Sequence, residues 1–427
     1  MADSVAAPTK PVWIPMKWPV RWRDPAALGL LADTGINYLL FEKNPALDAV
    51  LAQAKAKGIQ TGDTASLPAG VSILPGEWPG VKMSASGAKD TVSAGPTGAP
   101  WVDSNGWKVR LRAALQPGST VWVDTSPKPS EIVTRESYVL SMADAAAYGG
   151  SWIISLDDSL VADIADKKTA ALETWKALGR AVSLIASRAG WSQYTPEAVV
   201  GVLSDFSGQN EFLSNELLNL LARANEQYRI IPNNGVSASS FASLKVVIYA
   251  DAEPPVPELR KQVLAFVEAG GMLISVPAWG DIPGKAAKWD DHPRYSTRLL
   301  GKGRLQIAKS APDDPFLFAN DAVVLVGHRE DLVRFWNVGA MESFLTVSPD
   351  RRKKLLHMLF YARELNGEVS RGGPAAASVR VAGRYRTGTM WTLYRPDPVT
   401  VHMEYERGAV ELHLPPISEY AAVELAM

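Results

Sequence analysis

The sequence predicts a multidomain α/β protein: an N-terminal TIM-type (β/α) barrel, a central doubly wound α/β domain and a small C-terminal antiparallel β domain. The chain has 427 residues, whereas single hydrophobic cores stop growing at about 250 to 300 residues. Over most of the chain before Gly372, short apolar runs alternate with amphipathic segments, which is typical of βα units. Beyond Gly372 the pattern changes to short alternating strands between turn residues, which is typical of antiparallel sheets.

The barrel is predicted over residues 1–192. Its predicted strands are residues 12–17, 37–42, 58–61, 71–74 with 80–83, 99–103, 119–124 and 151–157. The clearest helix is predicted over 170–189, where Leu172, Trp175 and Leu178 begin an apolar stripe at intervals of three or four. A full eight-stranded barrel usually needs about 200 to 250 residues, so we expect a small or irregular barrel. The stretch 84–100 is predicted to be a long loop.

The central domain is predicted over residues 193–370 and the C-terminal β domain over 371–427. Central strands are predicted at 199–204, 228–231, 244–249 and 272–276, and helices at 211–227, 257–269 and 349–365. A buried strand followed by a helix, repeated along the chain, is typical of an open doubly wound sheet.

Three segments of the central domain carry a resemblance to a known group of proteins. They are the strand and turn at 199–212, the strand at 244–249, and the run Phe266-Val-Glu-Ala-Gly-Gly-Met-Leu-Ile. They resemble the amidotransferase-like domain that follows the catalytic barrel in some β-galactosidases and related glycoside hydrolases. The resemblance implies a carbohydrate substrate, and for the central domain a structural role or a role in homo-oligomer formation. The catalytic glutamates of that group are not assigned to positions of this sequence.

Composition excludes several kinds of chemistry. There is no cysteine, which excludes disulfides, thiolate metal sites and the nucleophile of class I amidotransferases. All five histidines lie beyond residue 290, so the barrel region cannot supply a Ser-His-Asp triad or a histidine-ligated zinc site. We interpret the histidines as surface or packed side chains. The turn after residue 204 lacks the glycine pattern of a dinucleotide fingerprint, and we predict neither a cofactor nor a metal.

Charge and hydropathy also limit the partners. The chain has 44 basic and 45 acidic side chains, which gives no electrostatic footprint for nucleic acid. No apolar stretch approaches the roughly 18 to 20 residues of a membrane span. Residues 1–10 lack the basic start and apolar run of a signal peptide. A cytoplasmic protein and a secreted protein whose signal has been removed both fit this N-terminus.

The candidate catalytic residues are acids that follow predicted barrel strands. Reactive groups of parallel barrels lie at the carboxyl ends of strands, and glycoside hydrolysis needs two carboxyl groups. These acids are Asp157, Asp124, Asp103 and Glu42. Alternation along the predicted strand places Asp157 on the same face as Ile153 and Ser155. Helix capping is an alternative role for an acid in such a position, and for Asp63 and Asp158 it is as well supported as a role in the site.

The candidate substrate-binding residues are rings and polar groups near the same strand ends. They are Trp18, Trp22, Trp78, Trp101, Asn105, Trp122, Asp158 and Lys17. Indole rings can stack on a ligand or fill a core, and Lys17 can instead pair with a carboxylate. In the central domain, Asp205, Asn210 and Glu211 can bind a ligand or cap a helix. The sequence thus predicts a glycoside hydrolase, with a non-catalytic carbohydrate-binding relative and a structural protein as alternatives.

Overall fold

The computed structural model describes residues 12–63, 65–82, 101–288, 292–336, 338, 340–361 and 377–427. The predicted loop at 84–100 lies outside the described residues. The described strands are β1 (Pro15–Lys17), β2 (Tyr38–Leu40), β3 (Gln60–Gly62), β4 (Val71–Pro75), β5 (Gly80–Lys82), β6 (Trp101–Asp103), β7 (Thr120–Asp124), β8 (Ser151–Trp152), β9 (Thr195–Pro196), β10 (Val200–Ser204), β11 (Tyr228–Pro232), β12 (Val246–Tyr249), β13 (Met272–Ser275), β14 (Lys285–Ala286), β15 (Tyr295–Leu300), β16 (Gly303–Ala308), β17 (Val333–Trp336), β18 (Met341–Val347), β19 (Lys353–Phe360), β20 (Ala377–Ala382), β21 (Thr387–Thr392), β22 (Arg395–Thr400), β23 (His402–Glu406), β24 (Ala409–Leu414) and β25 (Tyr420–Ala426).

The described α-helices are α1 (Asp48–Ala56), α2 (Gly106–Leu115), α3 (Arg135–Ala147), α4 (Asp158–Ala165), α5 (Thr169–Ser187), α6 (Glu211–Arg223), α7 (Pro257–Glu268) and α8 (Pro315–Val326). Among the described residues, none of the helices is both long enough and apolar enough to cross a membrane. The chain divides into two compact units. The first takes the described residues of Met1–Pro79, Gly118–Ser192 and Leu393–Pro396, and the second those of Gly80–Pro117, Gln193–Thr392 and Asp397–Met427.

The first unit is built on parallel strands. One sheet has the order β1-β2-β3 and another the order β4-β7-β8, and all their pairings are parallel. Ile154 joins the two sheets, because its N–H donates to Pro15 O (2.9 Å) and its O accepts from Lys17 N (2.8 Å). Six parallel strands therefore follow one another in the order β3-β2-β1-β8-β7-β4, and their carboxyl ends share one edge. We call this edge the first carboxyl edge.

The two faces of the central strands β2, β1, β8 and β7 are both apolar. On one face Tyr38, Leu40, Trp122 and Ile153 form a buried cluster. The residues that alternate with them, among them Leu39, are also buried. Helix α5 supplies further apolar contacts inside this unit, since Trp175 and Leu178 are both buried. Burial on both faces is typical of parallel strands covered by helices, and it explains why apolar runs predicted these strands.

The second unit contains a larger, mostly parallel sheet with the order β11-β10-β12-β13-β16-β15-β14. Its first five strands are parallel, and β15 and β14 are antiparallel to their neighbours. When its five parallel strands are numbered along the chain, their order across the sheet is 2-1-3-4-5, which is a doubly wound arrangement. Helices α6 and α8 pack in one apolar cluster and α7 in another.

The second unit also contains antiparallel sheets, with the orders β17-β20-β24-β23 and β22-β21-β25-β19-β18-β9. They share one apolar cluster. The helix predicted over 349–365 is wrong, because Lys353–Phe360 forms β19 between β18 and β25. All its residues after Lys353 are buried, and a continuous apolar run cannot distinguish a central strand from a buried helix. The six-stranded sheet also joins strands from both sides of residue 370.

Residues 99–103 were expected among the parallel barrel strands. Instead, β6 pairs antiparallel with β5, so that Gly80 lies opposite Asp103. Both strands belong to the second unit, together with α2. The apolar character of β6 indicated a strand but carried no information about the direction of its partner.

Candidate functional site

A group of polar side chains lies at the first carboxyl edge. Lys17 Nζ is 2.7 Å from Asp124 Oδ1 and donates a hydrogen bond to Ser126 Oγ at 2.9 Å. Ser155 Oγ donates to Ser126 Oγ at 3.3 Å. These four residues, which we call the edge cluster, offer one cation, one carboxylate and two hydroxyl groups. Such groups supply the donors and acceptors that sugar hydroxyls require.

The strands explain why these residues meet. Lys17 is the last residue of β1 and Asp124 the last residue of β7, and Ser155 follows the residue that joins β8 to β1. Asp124 lies two residues after Trp122 on β7, so both side chains point to the same face. Trp122 belongs to the buried apolar cluster of that face. The edge cluster therefore lies next to an apolar layer.

The ion pair of the edge cluster is accessible to solvent. The side chains of Lys17 and Asp124 are 28% and 23% exposed. Such partly exposed pairs contribute little to stability. Sequence reasoning had identified Lys17 and Asp124 separately and had named pairing with a carboxylate as an alternative for Lys17. It missed Ser126, and Ser155 entered only as a neighbour of Asp157.

Asp157 has a structural role. Its side chain is buried and caps α4, because Oδ1 accepts from Leu160 N at 2.9 Å. Its Oδ2 accepts from Tyr138 Oη at 3.0 Å and from Val133 N at 3.3 Å. Burial raises the pKa of the Tyr138 hydroxyl well above its usual range, so this hydroxyl remains a donor. Strand alternation failed here because β8 ends at Trp152.

Asp158 and Asp63 were the acids for which capping was the stated alternative. Asp158 is exposed in the first turn of α4, where its neighbour caps the helix instead. Asp63 accepts from Ala65 N at 2.9 Å through Oδ1, so its side chain holds a turn. Glu42 is exposed and lies two residues beyond the end of β2, at the first carboxyl edge. The structure thus brings Asp124 and Lys17 together and leaves Glu42 on a separate strand end.

Three of the predicted binding tryptophans are core residues. Trp18, Trp22 and Trp122 are 2%, 4% and 0% exposed. Trp18 Nε1 donates to Trp22 O, and Trp22 Nε1 donates to Val161 O. These rings present no open face to a ligand, so the interpretation of them as stacking surfaces is wrong. Trp78 is partly buried and contacts the rings of Tyr138 and Trp152.

Asp103, Asn105 and Trp101 belong to the second unit, whereas the residues of the edge cluster belong to the first. Asn105 is fully buried immediately before α2. Asp103 is half-buried. Burial lowers the pKa of the Arg223 guanidinium, and the negative charge of Asp103 acts in the opposite direction. The side chain of Trp101 lies outside the described residues.

The parallel sheet of the second unit carries its own polar group at its carboxyl edge, which we call the switch-point cluster: Asp205, Asn210, Asn233, Asp251 and Glu253. It lies where the strand order reverses, between β10 and β12, a usual ligand position in such sheets. Asp251 is 2% exposed and accepts from Asp205 N at 3.2 Å and from Asn233 Nδ2 at 3.1 Å. Burial raises the pKa of the Asp251 carboxyl to about 6.

Hydrogen bonds inside the switch-point cluster use most of its polar groups. Asn210 Nδ2 donates to Asp205 Oδ1 at 3.1 Å and to Glu253 Oε2 at 2.9 Å. Asn210 Oδ1 accepts from Ala252 N at 2.7 Å. Asp205 also accepts from Ser207 N at 3.0 Å. These contacts fasten the two loops after β10 and β12 to each other. Asn210 directly precedes α6 but makes no side-chain cap hydrogen bond, so the capping role predicted as the alternative for it is wrong.

Comparison with known proteins gives a likeness of fold. The sequence matches no family model, and no curated protein matches it at a significant level. Alpha-L-fucosidase isoenzyme 2 from Paenibacillus thiaminolyticus matches with a TM-score of 0.53 and 10% identity, over 97% of this chain and 99% of that one. A catalytic mutant of Gan42B, a GH42 β-galactosidase from G. stearothermophilus, matches with a TM-score of 0.49 and 11% identity, over 75% of this chain. The cold-adapted β-galactosidase from Rahnella sp. R3 matches with a TM-score of 0.48 and 10% identity, over 75% of this chain.

This chain spans 56% and 57% of the two β-galactosidase chains. Its structural neighbours are glycoside hydrolases at low sequence identity, and the fucosidase shares its fold over nearly the full length of both chains. A likeness at 10% identity shows the fold alone, because unrelated functions recur on shared folds.

Proposed function

We propose that the protein is a glycoside hydrolase that binds an oligo- or polysaccharide at the first carboxyl edge. The observation that carries the proposal is the Lys17–Asp124 pair, solvent-accessible at the edge of six parallel strands where barrel enzymes hold their reactive groups. The fold shared with an α-L-fucosidase supports a carbohydrate as the ligand. We further propose that the part of residues 1–192 that belongs to the first unit forms a (β/α) barrel of the TIM type.

Asp124 is the first of the two carboxyl groups that the reaction needs. Glu42 is the second, because it is an exposed acid that follows β2 at the same edge. Three strand spacings, about 14 Å along the sheet, separate β2 from β7. Catalytic carboxyl groups lie about 5 to 9.5 Å apart, so curvature of the sheet must bring these two side chains closer. Lys17, on β1 between them, fixes the orientation of Asp124.

The test is a screen of glycosides for release of reducing sugar, followed by kinetics of variants on the best substrate. Asp124→Asn and Glu42→Gln should each lower kcat/KM by about 100-fold or more, the size expected for loss of an acid or base. The matched control is Glu173→Gln, which removes an exposed carboxylate of α5 that pairs with Lys176. Full activity in Asp124→Asn would refute the site.

One observation favours a non-catalytic carbohydrate-binding protein as the second candidate. Asp157 caps a helix and Asp103 lies in the other unit, so Asp124 is the one carboxylate of the edge cluster. A single carboxylate beside a cation can bind sugar hydroxyls without cleaving a glycosidic bond. Calorimetry would then show sugar binding that Lys17→Met removes, and no glycoside would be turned over.

We also propose that residues 193–370 contain an amidotransferase-like α/β fold that mediates self-association. The doubly wound strand order supports the first part. For the second, α8 exposes Phe316, Leu317 and Val324, at 48%, 44% and 66%, and exposed apolar side chains on one element are candidates for an interface. A second copy of this chain is the partner that we propose.

Light scattering after size exclusion tests the association. The wild-type mass should be a multiple of the chain mass, and Val324→Asp should reduce it towards one chain. The control Val256→Asp adds the same charge at another exposed apolar position of the second unit, before α7. A monomeric wild type would remove this proposal and leave the proposed activity untouched.

A further inference from the structure

The β23–β24 hairpin brings two imidazoles and a carboxylate together on one face. The strands pair antiparallel, with His402 directly opposite His413 and with Glu404 two residues further along β23. Directly opposed residues point to the same face, and so do residues two apart on a strand. The register alone therefore places His402, Glu404 and His413 side by side.

Distances confirm the juxtaposition. One ligand atom of each of the three residues lies within 4.8 Å of the other two. His413 Nε2 is 3.2 Å from Glu404 Oε1, and the rings of His402 and His413 have their centroids 5.4 Å apart. Two ligands of a tetrahedral zinc ion, at about 2.0 to 2.2 Å from the metal, lie roughly 3.3 to 3.6 Å from each other. The distance between His413 Nε2 and Glu404 Oε1 is already close to this range, and the third ligand atom lies within 4.8 Å of both.

We propose that His402, Glu404 and His413 form a binding site for a divalent transition metal ion, with Zn²⁺ as the ion that fits best. Imidazole nitrogen and carboxylate oxygen are common zinc ligands, and three protein ligands leave a fourth position for water. The sequence had indicated only surface or packed histidines, because eleven positions along the chain separate two residues that the strand register brings face to face.

The surroundings of the site favour a cation. Glu404 lies directly opposite Glu411, and like charges in that position destabilise a sheet. Arg380 lies directly opposite Glu411 on β20, and its Nε lies 3.5 Å from Glu406 Oε2, so this one arginine stands beside the two carboxylates of Glu406 and Glu411. A bound cation between the imidazoles and Glu404 would offset the repulsion between Glu404 and Glu411.

The contact behind His413 suits a metal ligand. Ser378 lies opposite His413 on β20, and its Oγ is 3.4 Å from His413 Nδ1. A metal-bound imidazole donates its other ring N–H to a nearby acceptor, which fixes the ring and its tautomer. Ser378 Oγ is positioned to accept that hydrogen bond while Nε2 faces Glu404 and the metal.

Such a site would have a defined structural effect. Strand β23 is the edge strand of its sheet, paired with β24 alone in the sheet order β17-β20-β24-β23. A metal ion held by His402 and Glu404 on β23 and by His413 on β24 would fasten this edge to the sheet interior. We expect zinc to slow amide hydrogen exchange in residues 402–406.

The experiment is calorimetric titration of the chelator-treated full chain with zinc chloride. We expect one zinc ion per chain, and His402→Ala and His413→Ala should each weaken binding by at least about 100-fold, since loss of outer-shell partners alone costs 10- to 100-fold. The control is His328→Ala, because His328 is an exposed histidine whose Nδ1 lies 3.0 Å from a single acid, Asp331. It should bind zinc like the wild type.

Melting temperatures with and without zinc distinguish loss of the metal site from loss of the folded structure. His402 and Glu404 are exposed, so His402→Ala should melt at the wild-type temperature in the absence of metal. Zinc should raise the melting temperature of the wild type but not of His402→Ala, because a ligand stabilises only a folded state that binds it. Absence of zinc binding to the wild type, or equal affinity in His402→Ala and the wild type, overturns the proposal.

Discussion

The two units each carry acidic side chains at the carboxyl edge of a parallel sheet, yet the two edges differ in what holds the acids. At the first carboxyl edge, Asp124 pairs with the ammonium group of Lys17, and both side chains are partly exposed. In the switch-point cluster, Asp251 is buried and accepts from a backbone N–H and from Asn233. One edge thus leaves its charged pair partly exposed, while the other uses its acids to fasten loops.

Acids that follow strands therefore have three different roles in this protein. Asp157 caps a helix, Asp251 ties two loops together, and Asp124 remains accessible beside a cation. Helix caps and buried hydrogen bonds contribute to the stability of the fold. Accessible ion pairs contribute little to it. Stability and activity measurements on the same variants therefore separate these fates.

The largest effect is expected for Asp157→Ala. The change removes the cap of α4 and leaves Leu160 N, Val133 N and the Tyr138 hydroxyl without their acceptor. Caps contribute about 1 kcal/mol and hydrogen bonds to charged groups about 1.5 to 3 kcal/mol, so we expect a loss of about 3 kcal/mol. Urea unfolding measures it.

The neighbouring acid provides the control for this variant. Asp158→Ala removes an exposed carboxylate in the first turn of α4, and its favourable interaction with the helix dipole amounts to about 0.5 kcal/mol. Equal losses in the two variants would contradict the capping role. An Asp157→Asn protein that keeps its stability but loses turnover would restore Asp157 as a catalytic residue.

An intermediate effect is expected for Asp251 and takes the form of a pH dependence. Burial raises the pKa of this carboxyl to about 6 from its usual value of 3.8. Between these values the folded protein binds more protons than the unfolded one, so stability falls as the pH rises through about 6. From about pH 5 to about pH 7.5 the loss from this group is about 1 to 1.5 kcal/mol.

Urea unfolding at both pH values measures this loss. Asp251→Asn should reduce the difference between the two pH values by that amount. Glu226, whose pKa burial raises to about 7, acts in the same direction in both proteins and cancels from the comparison. The control Asp281→Asn removes an exposed carboxylate of the same unit and should leave the difference unchanged. A pH difference of the same size in Asp251→Asn would show that Asp251 does not ionise in this range.

Much of the fold could be predicted from sequence, and particular residues show where prediction ended. Helix α5 and strands such as β10 and β12 were predicted because their apolar periodicity or runs are unambiguous. Strand β19 was predicted as a helix because an apolar run buried on both faces has no period to read. The direction of β6 was missed because periodicity says nothing about which strand is the partner.

The candidate site was less predictable for a related reason. Strand ends identified Asp124 and Lys17, but the pair depends on β7, β8 and β1 being neighbours, which only tertiary structure provides. Trp18, Trp22 and Trp122 were predicted to bind a ligand, because the number of tryptophans in a sequence does not tell core residues from those of a binding surface. His402 and His413 meet only through the register of a hairpin.

The smallest effect is expected for the ion pair of the edge cluster, and it gives the sharpest contrast with Asp157. A double-mutant cycle with Lys17→Met and Asp124→Asn should yield a coupling free energy of about 0.5 kcal/mol in urea unfolding, because both side chains are partly exposed and screened by salt. If Asp124→Asn lowers kcat/KM by about 100-fold at this small cost in stability, the pair serves the ligand and not the fold. A coupling above about 2 kcal/mol would place Asp124 with Asp157 and Asp251 among the acids that hold the structure together.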